Sequence, residues 1–315
     1  MAQKSTDSRL FITDTATHPN VFVKRQEYPH WPRKVVHFGL GFLTPMVTYF
    51  FLWAPILLLI LFSFNDASSL SYWRGFSTQW YENIFASLFG GATSQFSSDL
   101  LVSSLKNSLI IALVAALFST IFGTMIALAL VRFPIPGKKY IQGLLILPTI
   151  VPEITHAVSL AIFFRVVFEY IESTTGNFYL PGFGTIIAGH IAFNISYVVF
   201  MVQANLYGLG KHYEEAAHDL GANTWQTFWH VTFPLIFPGI LGGAMLAFTI
   251  SFDNFVMSFF NAGIGTTTLP VYVYGMLKVQ VTPEVNAIST LLLLVSMVMI
   301  GLSMLLQGKN SYFHS

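Results

Sequence analysis

Glu153 and Asp253 are carboxylates set within otherwise apolar runs, and Glu214, Glu215 and Asp219 crowd one short segment. A carboxylate at membrane depth is costly unless it faces a wet cavity or a partner, so Glu153 marks a route for a cation. It follows Pro152 directly, with Pro148 close by, and an ammonium group would satisfy it. The competing reading is a structural pair with His156 or Arg165, or a protonated buried acid. Asp253 either flanks the same route or makes a helix-end hydrogen bond. Tyr197, Phe252 and Phe255 could turn ring faces to an alkyl-ammonium. With 31 Phe and 13 Tyr in the chain, however, most rings must face lipid or core. His190 and Asn194, four residues apart, read as hydrogen-bonding groups between helices.

The elements that would position these groups are long and apolar. Runs at 38–62, 109–131, 141–167, 185–206, 237–260 and 287–306 each meet the length of ~20 residues that a membrane-crossing helix needs. The expected architecture is an all-α integral membrane protein with six transmembrane helices. Residues 1–35 read as a polar cytoplasmic extension, 36–306 as the membrane domain and 307–315 as a cytoplasmic tail. Trp31, Arg33 and Lys34 suit an interfacial anchor before the first span. Composition agrees, because only 9% of the 315 residues are charged and 54% are hydrophobic. So few charges could not clothe a soluble domain. A net charge of +1 also excludes a basic nucleic-acid binder.

Basic residues set the orientation. With the amino terminus inside, the inner segments hold Lys4, Arg9, Lys24, Arg25, Arg33, Lys34, Arg132, Lys138, Lys139, Lys211 and Lys309. Arg74, Lys106, Arg165 and Lys278 remain outside or at the outer boundary. Both termini are therefore expected in the cytoplasm. Glu284 and Lys278 are expected to be solvated or paired with one another.

The most informative connection is HYEEAAHDLGANTWQTFWHVTFP, residues 212–234, on the cytoplasmic side. Glu214 to Asp219 has good helix formers and acids near its start, where the helix dipole favours them. Gly221 is placed to stop that helix, and Asn223 to cap a second one carrying Trp225, Phe228, Trp229 and Val231 on one face. Pro234 is expected to end it. Such an elbow, acidic at one end and apolar behind, suits docking onto a partner.

At these residues the chain resembles the permease subunits of binding-protein-dependent ABC importers. Their signature appears here as Glu215-Ala216-Ala217, then Gly221, then Val231, Phe233 and Pro234, with Phe233 in place of the usual Leu. Beyond it, GFSTQWY at 75–81, Pro152-Glu153-Ile154, SFDNFVMSF at 251–259 and the stretch at 269–291 are similar to the second permease of the spermidine/putrescine branch. Two departures stand out: Glu153 replaces a frequent Asp, and Asn254 follows Asp253 where members often have a second acid.

The resemblance implies a type I ABC importer permease fold in a bacterial cytoplasmic (inner) membrane. It implies that Glu214, Glu215, Ala216, Ala217, Asp219, Gly221 and Pro234 belong to a coupling helix seated in an ATPase subunit. It further implies a second permease, two copies of an ATP-binding subunit, an extracytoplasmic substrate-binding protein and surrounding lipid. Glu153, Asp253, Tyr197 and Phe252 would then line the substrate pathway.

No cofactor or metal is expected in this chain; ATP and Mg would sit on the ATPase partners. Gly210-Lys211 lacks the earlier glycine of a phosphate-binding loop and is followed by His212. The chain has no cysteine, and neither HExxH nor GxSxG occurs, so it is not read as an enzyme. Opines, amine osmolytes and ferric iron are alternative cargoes. An ion-coupled secondary transporter and an intramembrane enzyme are the rival classes.

Overall fold

A computed structural model of the chain describes residues 39–89, 96–279 and 282–310. The polar extension at 1–35, with its Trp31–Lys34 anchor, and the tail from 311 on lie outside the described residues. The chain forms two compact units, residues 1–56 and 57–315. A π-turn at Gly39–Leu43 in the first leads into helix α1, Thr44–Phe62, which continues past the boundary at residue 56 and buries none of its side chains. An apolar helix with nothing buried is matched to lipid or to another membrane helix, since water would disfavour it.

The second unit contains α2 (Gln79–Leu88), α3 (Phe96–Arg132), α4 (Lys138–Ile150), α5 (Glu153–Thr175) and α6 (Phe183–Gly208). There follow α7 (His212–Asp219), α8 (Thr224–Thr227), α9 (Phe233–Asp253), α10 (Phe255–Asn261), α11 (Leu269–Val279) and α12 (Pro283–Asn310). Among the described residues the one extended pairing outside helices is an isolated bridge between Asn65 and Phe76. Among the described residues five helical stretches are long and apolar enough to cross a membrane, and a shorter apolar stretch runs over Pro283–Val298 in α12.

Small residues allow α3, α6 and α9 to pack closely. A Cβ added to Gly123 of α3 would lie 2.7 Å from the Val198 side chain on α6, and one on Gly243 of α9 would lie 3.3 Å from the same residue. Gly239, Gly243 and Ala247 are all buried at intervals of four, one ridge of α9. Ala127, Leu130, Val199, Val202 and Ile236 complete the core among these helices.

A second cluster joins α2, α3, α11 and α12. Trp80 and Ile84, one turn apart on α2, are buried against Leu101, Leu105, Leu269 and Ile288. The Trp80 indole donates to the Asn65 carbonyl at 2.8 Å. The connection between α1 and α3 thus contains a short amphipathic helix, α2.

Two of the expected spans are interrupted rather than continuous. The third splits at Val151 and Pro152, both extended, with ψ of 132° and 131°. Proline disfavours helical geometry in the residue before it, which explains the break. The fifth splits at Asn254, whose ψ is 106°. Glu153 therefore opens a helix instead of lying within one, and Asp253 closes one. Glu284, expected to be solvated or paired with Lys278, is fully buried. Lys278 instead lies over the Tyr274 ring, 4.7 Å from its centroid.

Candidate functional site

The elbow is assembled from short-range pairs. Gly221 has φ of 86°, a left-handed conformation that suits glycine and stops α7. Its N–H donates to His218 O at 2.9 Å, and the Ala222 N–H donates to Ala217 O at 3.0 Å. Asn223 then caps α8: its Oδ1 accepts the Gln226 N–H at 2.9 Å, while Gln226 Oε1 accepts the Asn223 N–H at 2.9 Å.

The acids of α7 divide by direction. Glu215, Ala216 and Asp219 are exposed and Ala217 is half-buried. Leu220 and Trp225 stand out, 90% and 70% exposed, which is unusual for large apolar groups beside charges. Glu214 turns inward instead. Its Oε1 lies 3.0 Å from Arg132 Nε and accepts the Thr232 hydroxyl at 2.9 Å.

Pro234 does not end the second helix, contrary to its sequence reading. The chain passes from α8 through a π-turn at Phe228–Thr232 straight into α9. Pro234 occupies the second position of α9, where the preceding turn widens. A π-turn rearranges the local ladder, so the missing N–H of proline is tolerated there.

The two helix breaks meet. Asn254 Nδ2 donates to Glu153 Oε1, and Asn254 Oδ1 accepts the Met257 N–H at 2.8 Å, capping α10. One neutral side chain thus satisfies an acid at the start of α5 and a helix start in the neighbouring broken span. The amino end of α5 adds its dipole in favour of the carboxylate.

Below this junction Met257, Ala157 and Phe193 form a small core with Tyr197 packed against it. Phe193 links the neighbours: its ring is 5.3 Å from Tyr197 and 5.8 Å, edge-on, from His156. A cleft of about 360 Å³ opens beside the break, lined by Val151, Thr155, His156, Ser159, Leu160 and Phe163.

Buried polar groups of α6 hold the broken fifth span from behind. Asn194 Nδ2 donates to Ser251 Oγ at 2.6 Å, His190 Nε2 lies 3.3 Å from Ser258 Oγ, and Thr185 Oγ1 donates to Asn261 O at 2.8 Å. Asn254, read in the sequence as a missing acid, is therefore the partner of Glu153.

Of the other pathway residues, Tyr197 reaches the junction through Phe193, while Asp253 is exposed at the last position of α9. Phe252 stacks on Phe248 at 5.9 Å and packs into the Trp80 cluster, away from Glu153. Phe255 lies 4.7 Å from the Tyr274 ring of α11.

Residues 119–310 match the family model described as the binding-protein-dependent transport system inner membrane component. The chain is 35% identical over 267 residues to the spermidine/putrescine transport system permease protein PotC of Haemophilus influenzae, covering 84% of this chain and 95% of that protein. It is 34% identical over 266 residues to PotC of Escherichia coli, covering 84% and 92%. With the putrescine transport system permease protein PotI of Escherichia coli it shares 34% over 263 residues, covering 83% and 86%.

Among solved structures, a chain of a bacterial ABC transporter that imports the acidic polysaccharide alginate superposes with a TM-score of 0.58 at 17% identity. That match covers 91% of this chain and 100% of the other, and it speaks to the fold alone. On the strength of the matched domain and these relatives, the chain belongs to the inner membrane component family of binding-protein-dependent transport systems.

Proposed function

We propose that this chain is a permease subunit of an ATP-driven polyamine importer in a bacterial inner membrane. The observation that carries the reading is the half-buried Glu153 carboxylate at the junction of two broken helices, which accepts a hydrogen bond from the neutral Asn254 amide. An ammonium group outcompetes an amide for a carboxylate, because it adds the Coulomb attraction of a full positive charge to the hydrogen bond. The likeness to spermidine and putrescine permeases points to the same cargo.

In this reading a soluble binding protein delivers the polyamine outside, and a second permease completes the pathway. Two ATP-binding subunits, carrying ATP and Mg, lie in the cytoplasm with both termini, and one of them docks on α7. Exposed Glu215, Ala216 and Asp219, with Leu220 and Trp225 beside them, form this chain's docking face. ATP closes the paired ATPases and draws the elbows together, which favours the outward-open conformation; hydrolysis favours the return. Polyamine entering the pathway displaces Asn254 from Glu153 and pairs with the freed carboxylate.

Asn254 also supports a second reading. With one carboxylate here rather than adjacent acids, a cargo of lower charge, such as an amine osmolyte, would fit. Co-purification with its neighbouring subunits, followed by ATPase and uptake assays in lipid vesicles, tests both. Spermidine or putrescine should stimulate ATP hydrolysis and compete with labelled cargo. Stimulation by a monoamine osmolyte alone would overturn the polyamine assignment, and uptake that survives ATP depletion would overturn the ATP-driven one.

A further inference from the structure

The ion pair between Arg132 and Glu214 stands apart from both the docking face and the cargo junction. Arg132 is the last residue of α3, and Glu214 lies in the first turn of α7. Their side chains are only 13% and 20% exposed. Thr232, itself buried, donates to the same Glu214 oxygen, so three elements converge on one atom: the end of α3, the start of α7 and the π-turn before α9.

Burying such a pair is a poor way to gain stability, since an apolar contact of equal volume would serve as well or better. The pair is also incompletely satisfied, because neither Arg132 Nε, for all its closeness to Glu214, nor Nη2 makes a hydrogen bond among the described residues. A cleft of about 190 Å³ borders it, lined in part by Leu128, His218 and Thr227, which leaves room for the side chains to shift.

The far end of α3 is tied down just as specifically. Asn107 Nδ2 donates to the carbonyls of Gly265 and Thr267, at 3.1 Å and 3.0 Å, and Ser108 Oγ accepts the Leu269 N–H at 2.8 Å. These acceptors and donors belong to the connection between α10 and α11 and to the first residue of α11. From Asn107 to Arg132 the helix continues without a break, a rise of about 38 Å. The third and fifth spans, by contrast, are each interrupted.

We propose that Arg132 is a positioning residue that fastens α7 to α3. The uninterrupted helix then carries movement of the coupling elbow to the outer α10–α11 connection. The inference rests on the import reading given above. Arg132 touches neither cargo nor nucleotide in this scheme; it acts through Glu214.

The test uses the complete complex in lipid vesicles, with labelled spermidine as cargo. Arg132→Gln should lower uptake about tenfold while ATP hydrolysis changes less than about twofold, a loss in the range of ordinary site-to-site coupling. Arg132→Lys, which keeps a charge for Glu214, should recover a substantial part of that loss. Equal falls in uptake and hydrolysis would overturn the proposal, as would no fall in either.

A second arm needs no cargo. Amide hydrogen exchange across residues 212–220 should quicken in the assembled Arg132→Gln complex, and unchanged exchange there would also overturn the assignment. If the unsubstituted complex takes up no polyamine, the import reading fails, while the exchange arm still decides the role of Arg132.

Discussion

At the elbow the turn is made by neighbours in sequence: Asn223 with Gln226 three residues on, and Gly221 with His218. At the helix break the decisive contact joins Glu153 to Asn254 across 101 residues. The elbow therefore keeps its shape as long as its own short segment folds. The break has its shape only when two separate spans have packed side by side. A docking surface can be built locally, whereas a gated carboxylate needs a partner that can be taken away.

The sharpest way to break this comparison is at Glu215, whose exposed carboxylate is part of the proposed docking face and of no intrachain ion pair among the described residues. Glu215→Ala should reduce ATP-driven uptake by about 100-fold, at the upper end of coupling between linked sites, with the chain still inserted and expressed. Normal uptake in vesicles would remove Glu215 from the coupling route.

Glu153→Gln comes next. It keeps the shape of the side chain but removes the charge, and a hydrogen bond to a charged group is worth about 1.5–3 kcal/mol. Uptake should require at least about tenfold more polyamine, with ATPase docking intact by co-purification. Loss of assembly in this variant would make Glu153 structural and erase the functional contrast between the two regions.

Asn254 offers a finer cut because it has two roles. Asp caps a helix about as well as Asn, so Asn254→Asp keeps the α10 cap while replacing the donor to Glu153 with a like charge. The variant should retain its melting temperature to within a few degrees yet show a several-fold change in apparent affinity for spermidine. Asn254→Ala should cost about 1 kcal/mol in addition, from the lost cap. If both variants transported alike, the amide would not be gating the carboxylate.

The smallest effect is expected at Gly221. Placing a Cβ at φ of 86° strains the turn by about 1–2 kcal/mol, although open space surrounds it. Gly221→Ala should lower the thermal midpoint slightly and loosen ATPase docking, leaving polyamine affinity unchanged. A change in affinity would link the two regions more tightly than their construction suggests.

The same contrast governs what was legible beforehand. The apolar runs announced membrane-crossing helices because a span of ~20 residues is a one-dimensional property. The elbow was legible in detail, since caps and glycine stops act within a few residues: Asn223 and Gly221 do what their neighbours in sequence predict. The interruption at Asn254 was not, because nothing local forbids a helix there; the amide's bond to Glu153 and the α6 contacts to Ser251 and Ser258 are all long-range. Arg132 read only as a cytoplasmic base for the same reason, its partner lying beyond three intervening helices. Pro234 misled because a proline usually closes a helix, and the π-turn ahead of it removed the conflict.

That π-turn sets a phase. It places about one extra residue in a single turn of an otherwise α-helical stretch running from Thr224 to Asp253. Everything downstream is thereby rotated by about 100° relative to an uninterrupted α-helix. The Gly239, Gly243 and Ala247 ridge meets α6, with Trp225 left outward, because of that offset. Rewinding Phe228–Thr232 as an α-turn with no residue removed would undo the offset and turn the face one residue away from the Gly239, Gly243 and Ala247 ridge toward Val198. The angular registry between elbow and membrane core is thus written in a single supernumerary residue.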